Sequence, residues 1–255
     1  MTTSALLCSL LLAAAPWAAA QAPVSSHVRG LDAPRAFLSY SMGPSPTSPG
    51  AERRRVCLVQ EAFVVLWTRD PGLIGAPDLE VRHIERGVKP AEACADDFSG
   101  SRVVVEEMSN TVPSGIVGGY LVLVYPDGAG VNTTLEVMDM ASGERVRNFM
   151  FNWVKGVDFT RSAAGVVATY WKALGTLPCV PVPGAKECWK TIVAARGALP
   201  LAKVPAPDCG PALKAWRWKT APTPSELQIA VKVRDALGSS SFEVMPVAPT
   251  CDFAD

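Results

Sequence analysis

GYLVLVYPDGAGVNTTLEVMDMASGERVRNFMFNWV, residues 119–154, is three apolar runs divided by two turn clusters. Gly119–Tyr125, Thr133–Met140 and Arg145–Val154 are short and rich in Val, Leu and aromatic residues, the composition that suits a pleated, packed strand. Pro126-Asp127-Gly128 and Ala141-Ser142-Gly143-Glu144 supply turn chemistry between them. Strands spaced this closely predict an antiparallel meander, which Arg102–Met108 extends on its N-terminal side.

Residues 120–146 resemble the paired strands of β-propeller blades and of many exported β domains. The resemblance carries no specific catalytic or ligand motif, so it implies a hairpin and nothing about activity. No second copy recurs at a fixed period, as a propeller would require.

Upstream, Val56–Trp67 (VCLVQEAFVVLW) is almost continuously apolar, as expected of strands buried on both faces, and it stops at the turn signal Thr68–Gly72. Leu79–Ile84 opens with alternation that places Leu79, Val81 and His83 on one face. Lys89–Phe98 suits a short helix or turn carrying Cys94. Ser39–Gly50 (SYSMGPSPTSPG) reads as a linker, making residues 21–54 a flexible N-terminal arm.

Downstream, Ser162–Leu174 shows helical spacing of Ala163, Val166, Val167, Tyr170, Trp171 and Leu174, and predicts a helix closing the sheet. Prolines interrupt the chain between Leu177 and Leu213. A further helix over 224–237 is expected from Thr223-Pro224-Ser225-Glu226, a capping box. Strict alternation of Leu227, Ile229, Val231 and Val233 argues for a strand over the same residues. The expected fold is therefore mainly β with a few helices (α+β). It is an antiparallel meander or sandwich-like sheet with a helix packed on it, and an irregular, disulfide-stapled C-terminal region. The implied divisions are a signal peptide (1–20), the arm (21–54), a β domain (55–175) and a Pro/Cys-rich region (176–255).

Cysteine placement indicates the compartment. Cys8 lies in an apolar leader, Ala5–Ala20, that ends in the A-x-A site Ala18-Ala19-Ala20, and Cys57, Cys94, Cys179, Cys188, Cys209 and Cys251 follow. The leader has no Lys or Arg before its apolar run, and a retained anchor is the alternative to cleavage. Cys8 lacks the small preceding residue that lipid attachment requires. Six cysteines after an export signal read as a disulfide framework, periplasmic or extracellular, with fifteen possible connectivities. If sequence neighbours pair, the bridges are Cys57–Cys94, Cys179–Cys188 and Cys209–Cys251. No C-x-x-C spacing occurs and neither histidine is close in sequence to a cysteine, so no metal and no cofactor are expected.

The chain carries 24 basic and 24 acidic residues, so no net field steers it toward nucleic acid. Among the candidates for chemistry, His83 could act as a general base oriented by Asp96 or Asp97, the arrangement a hydrolase would need. His27 falls in the arm. The pairs Asp96-Asp97 and Glu106-Glu107 read as solvated carboxylates. Trp216 and Trp218 share a face in an extended segment and are the candidate binding residues for peptide or glycan. Arg53-Arg54-Arg55 reads as a solvated strand entry. Asn132-Thr133-Thr134 matches a glycosylation acceptor. No P-loop, dinucleotide fingerprint, nucleophile elbow or H-E-x-x-H motif is present. These features favour an exported non-enzymatic module binding an envelope protein, peptide or glycan, with no stable transmembrane segment after leader cleavage.

Overall fold

The computed structural model describes residues 26–253 apart from 74, 77, 99, 101, 105–110, 126–131, 180–185, 198 and 216–226. It is mostly β, with two sheets and three disulfides. The first sheet is antiparallel and runs in chain order through β2 (Ala36–Pro44), β3 (Glu52–Val59), β4 (Phe63–Arg69), β5 (Glu80–His83) and β6 (Arg102–Val104). The second contains the meander β7 (Val112–Val117), β8 (Tyr120–Val124), β9 (Asn132–Asp139) and β10 (Arg145–Asn152). Its remaining strands are β1 (Val28–Arg29), β11 (Val157–Ser162), β12 (Gly165–Ala173), β13 (Leu227–Ala236), β14 (Phe242–Val244) and β15 (Thr250–Phe253). It is mixed, because β1 lies parallel to β11.

The meander is a middle layer. Along β8, Leu121 and Leu123 face the first sheet, where they meet Val56, Leu58, Val65, Trp67 and Val81. Tyr120, Val122 and Val124 face the other way, toward Phe159, Tyr170, Ile229 and Val231 of β11–β13. Successive side chains on a strand point to opposite faces, so a layer covered on both sides must be apolar at nearly every position. The β9–β10 turn follows its sequence: Asp139 Oδ1 accepts the Ala141 and Ser142 N–H groups at 2.8 and 3.1 Å, and Gly143 takes φ +75°.

Two helical expectations are overturned. Ser162–Leu174 is not a helix: Ser162 and Gly165 close a tight turn into β12, whose alternate residues Val166, Ala168 and Tyr170 enter the core. The six apolar positions have helical spacing, but the β-branched Val166, Val167 and Thr169 beside aromatic Tyr170 and Trp171 favour the strand once a partner is available. Residues 227–236 are likewise β13, pairing with β12, β14 and β15. Leu227, Ile229, Val231 and Val233 are all buried, so alternation outweighs the cap signal at 223–226, which lies outside the described residues.

The arm is not loose within the described residues. β2 occupies Ala36–Pro44 against β3, and the Ser/Pro stretch folds back where buried Ser45 donates to Asp70 Oδ1 at 2.5 Å. Earlier still, Val28–Arg35 straps one sheet to the other. Val28 pairs with Val157, Asp32 N donates to the Ile116 carbonyl at 2.7 Å, and Arg35 N donates to that of Val59 at 2.8 Å. The helices are α1 (Pro90–Ala93), α2 (Lys186–Ala195) and α3 (Gly210–Ala215), joined by a 3₁₀ turn at Leu201–Lys203. Trp189 and Ile192 of α2 enter the same core as Phe149 and Tyr170, so the Pro/Cys-rich region completes the second sheet's core. The chain passes from the first sheet to the second between Val104 and Val112. Among the described residues no helix is long and apolar enough to cross a membrane.

Gly30 shows how tightly the strap is drawn. It has φ +76°, and a Cβ there would sit 1.9 Å from the Phe159 carbonyl oxygen; Gly43 has φ +90° with nothing within 4 Å of such an atom. Both Gly→Ala variants incur about 1–2 kcal/mol for the left-handed backbone. Gly30→Ala loses roughly another 1–3 kcal/mol to overpacking. Urea unfolding of the two variants should show that gap; equal midpoints would mean that the strap is not held against β11.

Candidate functional site

Asp235 is the most deeply buried carboxylate of the second sheet, at 2% exposure, and the groups around it come from three strands. Beyond a register shift between Arg145 and Arg147, β10 turns Arg147 toward the core. Its guanidinium meets Asp235 with Nε at 3.0 and 3.1 Å from the two carboxylate oxygens. Tyr170 of β12 is also 2% exposed; its phenol bonds to Asp235, and its ring stacks on Phe149 with centroids 3.8 Å apart. Lys172, two residues along β12, is half-buried and holds its ammonium 5.5 Å from the centre of the Phe242 ring.

The electrostatics follow from this enclosure. Burial, reinforced by the Asp235 carboxylate, pushes the Tyr170 phenol well above its ordinary range, with Arg147 opposing. Burial draws the Lys172 ammonium down, and Asp235 opposes that shift. Asp235 accepts from Arg147 and Tyr170 at once. Tyr170 keeps its proton at neutral pH and serves as a donor. The cluster is therefore built as a tie between the middle and outer layers.

A second ionic group lies on the outer face of the first sheet. Arg82, 1% exposed, places Nε 2.7 Å from Glu80 Oε1 and donates to the carbonyls of Ala93 and Ala95, with Phe98 ring 5.8 Å from its guanidinium carbon. The Cys57–Cys94 bridge packs on this same face. Arg55 continues the network to Asp78 at 2.5 Å and Glu80 at 3.5 Å.

These contacts locate the residues expected to carry chemistry. Arg82 points toward the turn after α1, so exposed Asp96 and Asp97 belong to that side of β5. His83 follows Arg82 and projects from the opposite face, where its ring meets Phe63 with centroids 4.8 Å apart. The structure does not bring His83 together with Asp96 or Asp97. His27 stacks near Trp153 at 4.5 Å. In the basic triplet, Arg54 pairs with Glu52 and Arg55 with Asp78 and Glu80. Asn132 bonds to the Gln228 side chain from within β9. Trp216, Trp218, Glu106 and Glu107 lie outside the described residues. Among the described residues no group of three or more His, Cys, Asp or Glu is placed to hold a metal ion.

Arg147, Tyr170 and Asp235 were not singled out by sequence. The signal was the alternation in 166–172 and 227–235, which puts Tyr170 and Asp235 on the inward face of their strands once both segments are read as β.

Two measurements check the tie. Asp235→Asn leaves a largely enclosed guanidinium without its counter-charge and should cost about 3 kcal/mol, more than Tyr170→Phe at about 1 kcal/mol. The folded protein holds the Tyr170 proton more tightly than the unfolded chain, whose phenols ionise near pH ~10. Stability therefore falls as pH rises above about 10, by up to ~1.4 kcal/mol per pH unit for this group. Tyr170→Phe should remove that part of the slope; an unchanged alkaline profile would show that the phenol is not enclosed as described.

No family model matches the chain, and neither the curated proteins nor the solved structures yield a match.

Proposed function

We propose that this chain is an exported, disulfide-stabilised β protein, periplasmic or extracellular, that serves as a non-enzymatic binding or envelope-associated module. The observation that carries the reading is the pairing of all six cysteines after the leader, Cys57–Cys94, Cys179–Cys188 and Cys209–Cys251. Bridges of this number persist in oxidising compartments and are rare where thiols are kept reduced. The apolar run Ala5–Ala20 with its A-x-A end supports export from the other direction. Separation of His83 from Asp96 and Asp97 across β5 weighs against the hydrolase alternative.

Export is tested by fusing residues 1–20 to a reporter enzyme that is active only after crossing the cytoplasmic membrane. Activity is expected, and its loss on replacing Leu10–Leu12 with Asp would locate the signal. Alkylation of the native protein before digestion should find none of the six cysteines modified and should recover three peptides bridged between sequence neighbours. Free thiols at these positions in protein taken directly from the cell would overturn the reading. Cross-linking in the native envelope then asks for a partner, with His83→Ala expected to leave its capture intact.

A further inference from the structure

The sheet edges differ in how they are closed. The first sheet ends in β2 and β6, the second in β1 and β7, and β14 and β15 each pair only with β13. β1, β6, β14 and β15 are two to four residues long. β7 carries Pro113, shifts register between Pro113 and Gly115, and gives its Ile116 carbonyl to the Asp32 N–H of the strap. Short strands, prolines, irregular register and covering segments all blunt an edge, as charges do. β2 is nine residues long, its proline is the last of them, and residues 36–42, AFLSYSM, hold no charge. Among the described residues no strand pairs with its far side.

The usable edge is Ala36–Met42, centred on Ser39. Ala36–Ser41 keep an unbroken register with β3, and Gly43 at φ +90° ends the extended run. Ala36, Leu38 and Tyr40 pack on the outer face with Cys57 and Leu66, whereas Phe37 packs on the opposite face with the inter-sheet core. Met42 continues the outer row, where the Thr68 hydroxyl donates to its sulfur at 3.7 Å. It is 43% exposed, one of few large apolar side chains so open among the described residues.

Two copies of this edge are complementary. Residues opposed in an antiparallel pair project to the same face and turn the same backbone groups toward each other, so in a self-pairing their numbers share parity and the two-fold axis passes through a residue. An axis at Ser39 opposes the whole run: Leu38 meets Tyr40 of the other copy, Ala36 meets Met42, and Phe37 meets Ser41. The exposed methionine is then covered by an apolar neighbour. Charge selects the same direction, because Arg35 precedes the run and Glu52 lies across from Pro44 at its far end. Antiparallel copies bring these unlike charges toward each other, whereas parallel copies would set Arg35 against Arg35.

We propose that two copies of the chain join through β2, antiparallel about Ser39, so that their first sheets become one continuous sheet. The proposal goes beyond the export reading and does not depend on it.

Sedimentation velocity of the protein purified from its producing cells, bridges intact, should show a species of twice the protomer mass that dissociates on dilution. Met42→Lys sets a cation opposite Ala36 and beside Arg35 of the other copy, twice by symmetry, and should raise the dimer dissociation constant about tenfold or more. Val154→Lys, at an exposed position between β10 and β11, should leave it unchanged. Ser39→Cys should cross-link to its counterpart on mild oxidation, since opposed Cα atoms lie about 4.5–5.5 Å apart, within disulfide reach. Met42→Cys should not, because its two copies would be about 20 Å apart along the paired strands. A monomer at every concentration, equal loss in the two lysine variants, or cross-linking through Met42→Cys instead of Ser39→Cys would each overturn the proposal.

Discussion

Val122 and Leu123 are consecutive residues that enter different cores, and the architecture depends on that. A meander with water on one side would need only alternate apolar residues; here β8 and part of β7 and β9 are covered on both sides, by β2–β6 and by β11–β13, while β10 leaves Asn148 and Met150 exposed on one face. Coverage of both faces sets what the flanking elements must do. The outer layers need one apolar face each, so their polar residues can alternate outward, as Thr160, Lys232 and Arg234 do. Polar groups that do point inward must be paired, and Asp235 is met by Arg147 and Tyr170 for that reason.

The bridges and the strap act at the margins of these layers. Cys57–Cys94 holds the α1 turn on the outer face of the first sheet beside Arg82. Cys209–Cys251 ties the entry of α3 to β15, whose Cys251 lies opposite core residue Ile229. Cys179–Cys188 closes a short loop leading into α2, whose Trp189 donates to the Val204 carbonyl at 3.3 Å. Each bridge has at least one cysteine outside the strands, Cys94, Cys179 or Cys209, and adds restriction of the unfolded chain to the local contacts that hold it.

Much of the fold was legible, and the failures have a physical pattern. Runs bounded by Pro-Asp-Gly or Ser-Gly were read as strands because the turn and the period agreed. Residues 227–236 were ambiguous because their main partner, β12, lies far upstream, and 162–174 because helical spacing masked a hairpin in which β12 pairs with β11 on one side and β13 on the other. The Ser/Pro stretch at 39–50 looked unstructured because its order comes from Asp70, a long-range hydrogen-bond partner. The Arg147–Asp235–Tyr170 tie was illegible for the same reason, since three strands had to be placed before their side chains could be seen to meet. The bridges fell between sequence neighbours, one of the open pairings.

The two sheets also differ in how far apart in sequence their strands lie. β2 to β5 pair with immediate successors, so most of the first sheet consists of local contacts. The second requires β1 to find β11 129 residues onward, and β12 to wait for β13 beyond the α2–α3 region. Pairing over such separations closes large loops and is slow. A chain emerging from its N-terminus can therefore order its first sheet while β12 still has an open edge. That edge is an unpaired template for association until β13 arrives. The β12 edge is covered only once β13, Leu227–Ala236, has followed it into the sheet.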